Sequence, residues 1–112
     1  MAFIFFFSCN KENKLSNDFF SDGTTCSLGE KNNTFDCTMI KNGLTREFIV
    51  YVPDSYLFQN SDVPLLFSLH GFSSYAKWNM QYTGFQSLAE EKGFIIIYPQ
   101  GTRWRTAPSD KN

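Results

Sequence analysis

The sequence predicts an α/β fold: an antiparallel hairpin, then one strand-helix-strand unit whose two strands run parallel. Three observations carry that expectation. Asn42-Gly43 lies between two β-prone runs, and both residues tolerate the positive φ that a tight hairpin turn demands. Leu65 to Leu69 and Phe94 to Tyr98 are short and almost wholly apolar, as strands are when both faces of their sheet are covered. Between them, Trp78, Tyr82, Phe85, Leu88 and Ala89 fall at helical spacing.

The elements follow in order. Residues 10–33 are dominated by Asn, Lys, Ser, Asp, Thr and Gly, the composition of a tether, interrupted only by Phe19-Phe20. Order is expected from Thr34. Phe35 to Lys41 forms the first hairpin strand and Arg46 to Val52 the second, rich in β-branched and aromatic residues. Pro53 ends it, having no N–H for a ladder. Residues 55–63 form a polar connector with Tyr56 and Phe58 as anchors. The helix spans Trp78 to Lys92 with one buried stripe, weakened or kinked at Gly84 and closed by Gly93 at its C′ position. Strand-helix-strand implies a right-handed crossover. Pro99 ends the last strand, and residues 100–112 read as loop.

With 112 residues the chain is one small domain or part of a larger one. A net charge of −1 and no basic stripe exclude a nucleic-acid partner. Thirteen phenylalanines and an apolar second half exclude disorder throughout. The apolar run Ala2 to Phe7 is too short for a bilayer, which needs about 20 residues. It leads into Ser8-Cys9 and a polar stretch, and so resembles the end of a bacterial lipoprotein signal. That implies lipidation at Cys9, export, and membrane contact only through the lipid. A greasy extension without a targeting role is the alternative. With Cys9 lipidated, Cys26 and Cys37 form an even pair, and an oxidising compartment favours a disulfide between them, worth about 3 kcal/mol in the chain-entropy account. Two unpaired thiols are the alternative. No nearby Cys or His completes a metal site.

Chemistry is legible at one place. The run Pro64-Leu65-Leu66-Phe67-Ser68-Leu69 stops at His70-Gly71-Phe72, and a loop of small residues follows. No G-x-S-x-G occurs in the 112 residues, and His70 is the only histidine. Without a nucleophile motif beside it, His70 reads as a residue that orients the loop rather than as a general base.

Several blocks together carry a resemblance. They are Arg46 to Pro53, Pro64 to Gly71, Thr83-Gly84-Phe85 with Leu88-Ala89, Gly93 to Gly101, and Trp104. In order and spacing they resemble the N-terminal part of the polyhydroxybutyrate depolymerase and feruloyl esterase group of α/β-hydrolases. The resemblance implies an exported serine carboxylic ester hydrolase, acting on feruloyl or acetyl esters of polysaccharide or on polyesters. It implies a Ser-His-Asp triad and neither metal nor cofactor. It places oxyanion donors at Gly71 and Phe72, the Phe72 N–H first, and a substrate-lining role at Trp104. The resemblance ends one helix and one strand short of the nucleophile elbow. The expected organisation is a signal remnant at 1–9, a tether at 10–33, and a partial hydrolase domain at 34–112 that is inactive alone. A small non-catalytic exported lipoprotein domain that serves in binding is the competing expectation.

Overall fold

A computed structural model describes residues 23–58 and 61–102. Cys9, Trp104 and the flanking segments lie outside them. Five strands form one mixed sheet: β1 (Thr25–Leu28), β2 (Thr34–Lys41), β3 (Leu44–Tyr51), β4 (Leu65–Phe67) and β5 (Ile95–Pro99). A 3-10 turn covers Asp54–Phe58, and two helices, α1 (Ala76–Thr83) and α2 (Phe85–Lys92), connect β4 to β5. The spatial order is β1-β2-β3-β5-β4. The β1–β2, β2–β3 and β3–β5 pairs are antiparallel and β4–β5 is parallel. This is the α/β arrangement the sequence predicts, with one strand more.

The hairpin forms where Asn42 and Gly43 both take positive φ, 52° and 74°, as a type I′ turn requires. The extra strand is β1, inside the segment expected as a tether. Its four residues carry too little apolar pattern to announce a strand. They are held by pairing with β2 and by a disulfide between Cys26 and Cys37, which sit directly opposite each other with Cα atoms 4.1 Å apart.

The single expected helix is two. Gly84 takes φ 62°, left-handed, and breaks the hydrogen-bonded spiral there. The break resets the helical phase, so the expected stripe fails: Trp78 is 54% exposed and Tyr82 81%, while Ala76, Asn79 and Met80 face inward with Ala89. Phe58 is exposed and anchors nothing, whereas Tyr56 packs against buried residues. Pro99 is the last residue of β5 rather than the first beyond it, and Gln100 after it still donates its N–H to the Glu47 carbonyl at 2.8 Å. Alternate N–H groups of β5 point the other way, as Ile95 does toward Pro64. Pro99 shares that direction, at a level that β4 has already passed, so its missing N–H leaves no gap in a ladder.

Both helices cover the same face of the sheet, over Tyr51, Ile96 and Tyr98. The other face carries Phe35, Cys37, Val50, Val52 and Ile95, with Tyr56 and Val63 packed on it. Leu65 pairs with Ile95 and Phe67 with Ile97, so both point to that second face. They are 55% and 59% exposed there. Among the described residues no helix covers them, and β4 has β5 as its one strand neighbour.

At the opposite end from the His-Gly loop, Glu90 of α2 gathers the chain. It accepts from the Tyr51 hydroxyl at 2.6 Å and from the Asp54 N–H at 3.1 Å on each oxygen. The Asn33 amide donates to it at 3.3 Å. Burial first, and then the hydrogen bond and charge of Glu90, hold the Tyr51 phenol proton far above the usual tyrosine range. Burial shifts Tyr56 and Tyr98 the same way.

Glu90→Ala strips the acceptor from these donors and should lower stability by about 1–3 kcal/mol, seen as an earlier urea midpoint at unchanged slope. The folded state holds the Tyr51 proton more tightly than the unfolded chain does. Its contribution is therefore whole at neutral pH and is lost as pH rises beyond about 10. Urea midpoints measured across alkaline pH should fall less steeply in Tyr51→Phe.

The bare apolar edge of β4 should make the chain associate with rising concentration and bind an apolar dye. Leu65→Glu with Phe67→Lys should reduce both, as read by size-exclusion chromatography and dye fluorescence.

Candidate functional site

The parallel pair β4–β5 ends in two loops on one side of the sheet, residues 68–75 and 100–102. Ligands of open α/β sheets bind outside the carboxyl ends of such strands. Ser68 still pairs with β5, its N–H donating to the Ile97 carbonyl at 2.9 Å. The chain then leaves the sheet, so β4 is shorter than the expected Leu65 to Leu69.

Residues 71–74 close a β-turn, with the Ser74 N–H donating to the Gly71 carbonyl at 3.1 Å. Ser73 occupies its third position at φ 64°, a left-handed conformation that favours glycine in a type II turn. A non-glycine residue held there stores strain, which clusters at functional sites. Phe72 precedes it at the tip, its side chain 99% exposed. Among the described residues none accepts a hydrogen bond from the Phe72 N–H.

Three side chains outside the turn brace it. Asn79 of α1 is buried and donates to both the carbonyl and the hydroxyl oxygen of Ser68, each at 3.0 Å. Gln100, just past β5, accepts the Ala76 N–H at 2.8 Å and thereby caps α1, since Tyr75 at the N-cap offers no side-chain bond. The His70 ring accepts the Gly101 N–H on Nε2 at 2.9 Å, and its Nδ1 lies 2.9 Å from the Gly71 carbonyl oxygen. Sequence reasoning singled out His70, Gly71 and Phe72 but missed Asn79, Gln100 and Ser73. Asn79 had a signal: a polar residue one turn past Ala76, on the inward side once the helix starts there. Nothing in the sequence marks Ser73.

A cleft of about 560 Å³ opens beside the turn, lined by Arg46 and Glu47 of β3, Tyr75, Gln100 and Gly101 among others. Arg46 reaches across it to donate to the Thr102 hydroxyl at 2.7 Å. A second cleft, of about 450 Å³, shares Glu47, Tyr75 and Gln100 and runs on over Asp36 and the disulfide. At its rim the hydrogen bond and charge of Lys77 hold the Glu30 carboxyl below its usual range, at 2.6 Å. Among the described residues no three metal-ligating side chains cluster, and no helix is long and apolar enough to cross a membrane. The arrangement can present backbone N–H groups to an oxygen that gains negative charge. Among the described residues no serine hydroxyl is hydrogen-bonded to the one imidazole, which is engaged with Gly101.

No family model matches the chain. It is 39% identical over 61 residues to a bifunctional acetylxylan esterase/xylanase of Neocallimastix patriciarum, a match that covers 54% of this chain and 9% of that protein. An S-formylglutathione hydrolase of Staphylococcus aureus, solved as the apoenzyme, matches with a TM-score of 0.47 and 23% identity. That match covers 70% of this chain and 31% of the other. The chain is thus similar in sequence to part of an esterase, and it spans only a small share of the relatives it matches.

Asn79→Ala removes both bonds to Ser68 in a buried setting and should lower stability by about 1–3 kcal/mol. Gln100→Ala uncaps α1 and should lower it by about 1 kcal/mol. Hydrogen exchange should localise the added opening to residues 68–80 in both variants, leaving the β2–β3 hairpin unchanged.

Proposed function

We propose that this chain is the N-terminal part of an α/β-hydrolase that cleaves carboxylic esters, and that its share of the reaction is the oxyanion loop. The carrying observation is the 39% identity over 61 residues to an acetylxylan esterase/xylanase. The strand order, with a parallel pair ending at His70-Gly71-Phe72, accords with it.

Attack on an ester carbonyl turns its oxygen into an oxyanion, and preorganised N–H donors stabilise that charge by about 3–4 kcal/mol each. The Phe72 N–H is the first such donor in this reading, with Gly71 leaving room for the substrate to approach. Because the donor is backbone, the phenyl group is free to face solvent. The nucleophile, acid and base of the triad would come from chain beyond these residues. No metal or cofactor enters the reaction on this reading. The substrate class is acetyl or feruloyl esters on plant polysaccharide, or short polyesters, with acetyl esters of xylan favoured by the relative's name. Trp104 would line the sugar side. The protein would be exported, as a secreted, periplasmic or outer-membrane lipoprotein, its only membrane contact a lipid on Cys9. It would have no nucleic-acid partner.

The 112-residue chain should not turn over p-nitrophenyl acetate or a feruloyl ester, since it lacks G-x-S-x-G. DNA downstream of the coding segment should continue the similarity into a G-x-S-x-G and a second histidine. Turnover that survives purification and vanishes on changing one serine would overturn the assignment of the nucleophile to chain beyond it. A stop codon with no such region downstream would instead favour a non-catalytic exported binding domain.

A further inference from the structure

One imidazole joins the two loops at the carboxyl end of the parallel pair. A backbone N–H can only donate and a carbonyl oxygen can only accept. Gly101 donates to His70 Nε2, and Gly71 O faces Nδ1. The ring is therefore neutral, with its proton on Nδ1 and its lone pair on Nε2 already engaged. The fit is close: a Cβ on Gly101 would lie 3.1 Å from both Cε1 and Nε2 of the ring. Only glycine lets the main chain approach the imidazole this way without a shift.

We propose that His70 is a positioning residue that works as a proton-sensitive clasp. Neutral, it holds the loop after β5 against the loop that presents the Phe72 N–H. When Nε2 takes a proton from solvent, two N–H groups face each other where a donor met an acceptor, and the Gly101 side lets go. The Nδ1–H bond to Gly71 survives that protonation, so the ring stays with its own loop and release falls on residues 100–102. Those residues also carry the Gln100 cap of α1 and the Thr102 contact of Arg46. Loss of the clasp therefore loosens the bracing around Phe72.

The charged and titratable groups on the elements around the clasp are Arg46 and Glu47 of β3 and Tyr75 ahead of α1, all lining the cleft with Gly101. Among the described residues, the ring's hydrogen bonds are those to Gly101 and Gly71. Histidine side chains in general change charge between about pH 5 and 8, which sets the two pH values compared below. The consequence for an oxyanion rests on the hydrolase reading; the clasp itself does not.

An N–H···N bond couples its two nitrogen nuclei. In the full 15N-labelled chain at pH 8, NMR should therefore show coupling between Gly101 N and His70 Nε2, with the ring proton on Nδ1. A sample that associates is read with the same labels under magic-angle spinning. Taking the pH to 5 should erase the coupling and lower the Gly101 amide protection factor by about tenfold or more. His70→Gln offers an oxygen to the same N–H and takes up no proton in this range, so Gly101 should stay protected throughout. His70→Phe should leave it unprotected at every pH. A ring protonated on Nε2 at pH 8, or Gly101 protection that is the same at both pH values in the native chain, would overturn the proposal. None of these readouts depends on ester turnover, so the clasp and the hydrolase reading can fail separately.

Discussion

The structure depends on β5 and its double allegiance. On one side it pairs antiparallel with β3, and on the other parallel with β4. Ile96 and Tyr98 are wholly buried beneath both helices. Burying two large side chains on a central strand is worth several kcal/mol at about 1.5–3 kcal/mol each. That energy fixes the register of β5 between two strands at once. A slip of one residue would turn Ile96 and Tyr98 to the face the helices leave bare. Because the register is fixed, the residues just past its end are fixed too. Gln100 and Gly101 can then act as rigid supports for a loop some thirty residues earlier in the chain.

Much of this was legible in the sequence where one rule acted alone. Asn42-Gly43 announced the hairpin because a type I′ turn has a strict φ requirement. Leu65 to Leu69 and Phe94 to Tyr98 announced strands because they are short and almost wholly apolar, but the burial expected on both faces fails at β4, where Leu65 and Phe67 stay more than half exposed. The failures come where two rules compete. Residues 78–92 match a helical stripe if the helix runs through Gly84, and the stripe loses meaning once Gly84 turns left-handed and the phase restarts. Trp78 and Tyr82 then face solvent although they are the largest side chains in the pattern. Strand β1 is invisible to periodicity because its stability comes from a partner strand and the Cys26–Cys37 link. In the proposed reading, the backbone carries the chemistry at the site. His70-Gly71-Phe72 could be found by its position after a strand, but the strain at Ser73 is a property of the fold, and a serine there gives no sign of it.

Stability is also unevenly placed. The helices and the Glu90 node tie one face and one end of the sheet firmly, through Tyr51, Asp54 and Asn33. The second face is closed over Phe35, Cys37 and Val50 but open over Leu65 and Phe67. Opening of the structure is therefore expected to begin at β4 and spread toward β5, while the β2–β3 hairpin persists. The His-Gly loop hangs from the weaker of these regions.

That placement explains why the loop has so many supports. A donor that is to stabilise a developing charge must already point at it, since reorienting the donor during reaction forfeits the advantage. A loop at the end of a three-residue edge strand would not hold such a direction by itself. Here Asn79 holds its start from α1, Gln100 ties the helix that follows it to β5, and His70 ties its middle to Gly101. Each brace runs to an element that the buried centre of β5 or the helical face keeps in place. The turn at residues 71–74 thus takes its rigidity from elsewhere in the fold, and this is what permits a strained Ser73 to persist beside a Phe72 N–H that has no acceptor among the described residues. Ester hydrolysis divides into a nucleophilic half and a charge-stabilising half. In the proposed reading, the second half is assembled within these residues before any nucleophile is present.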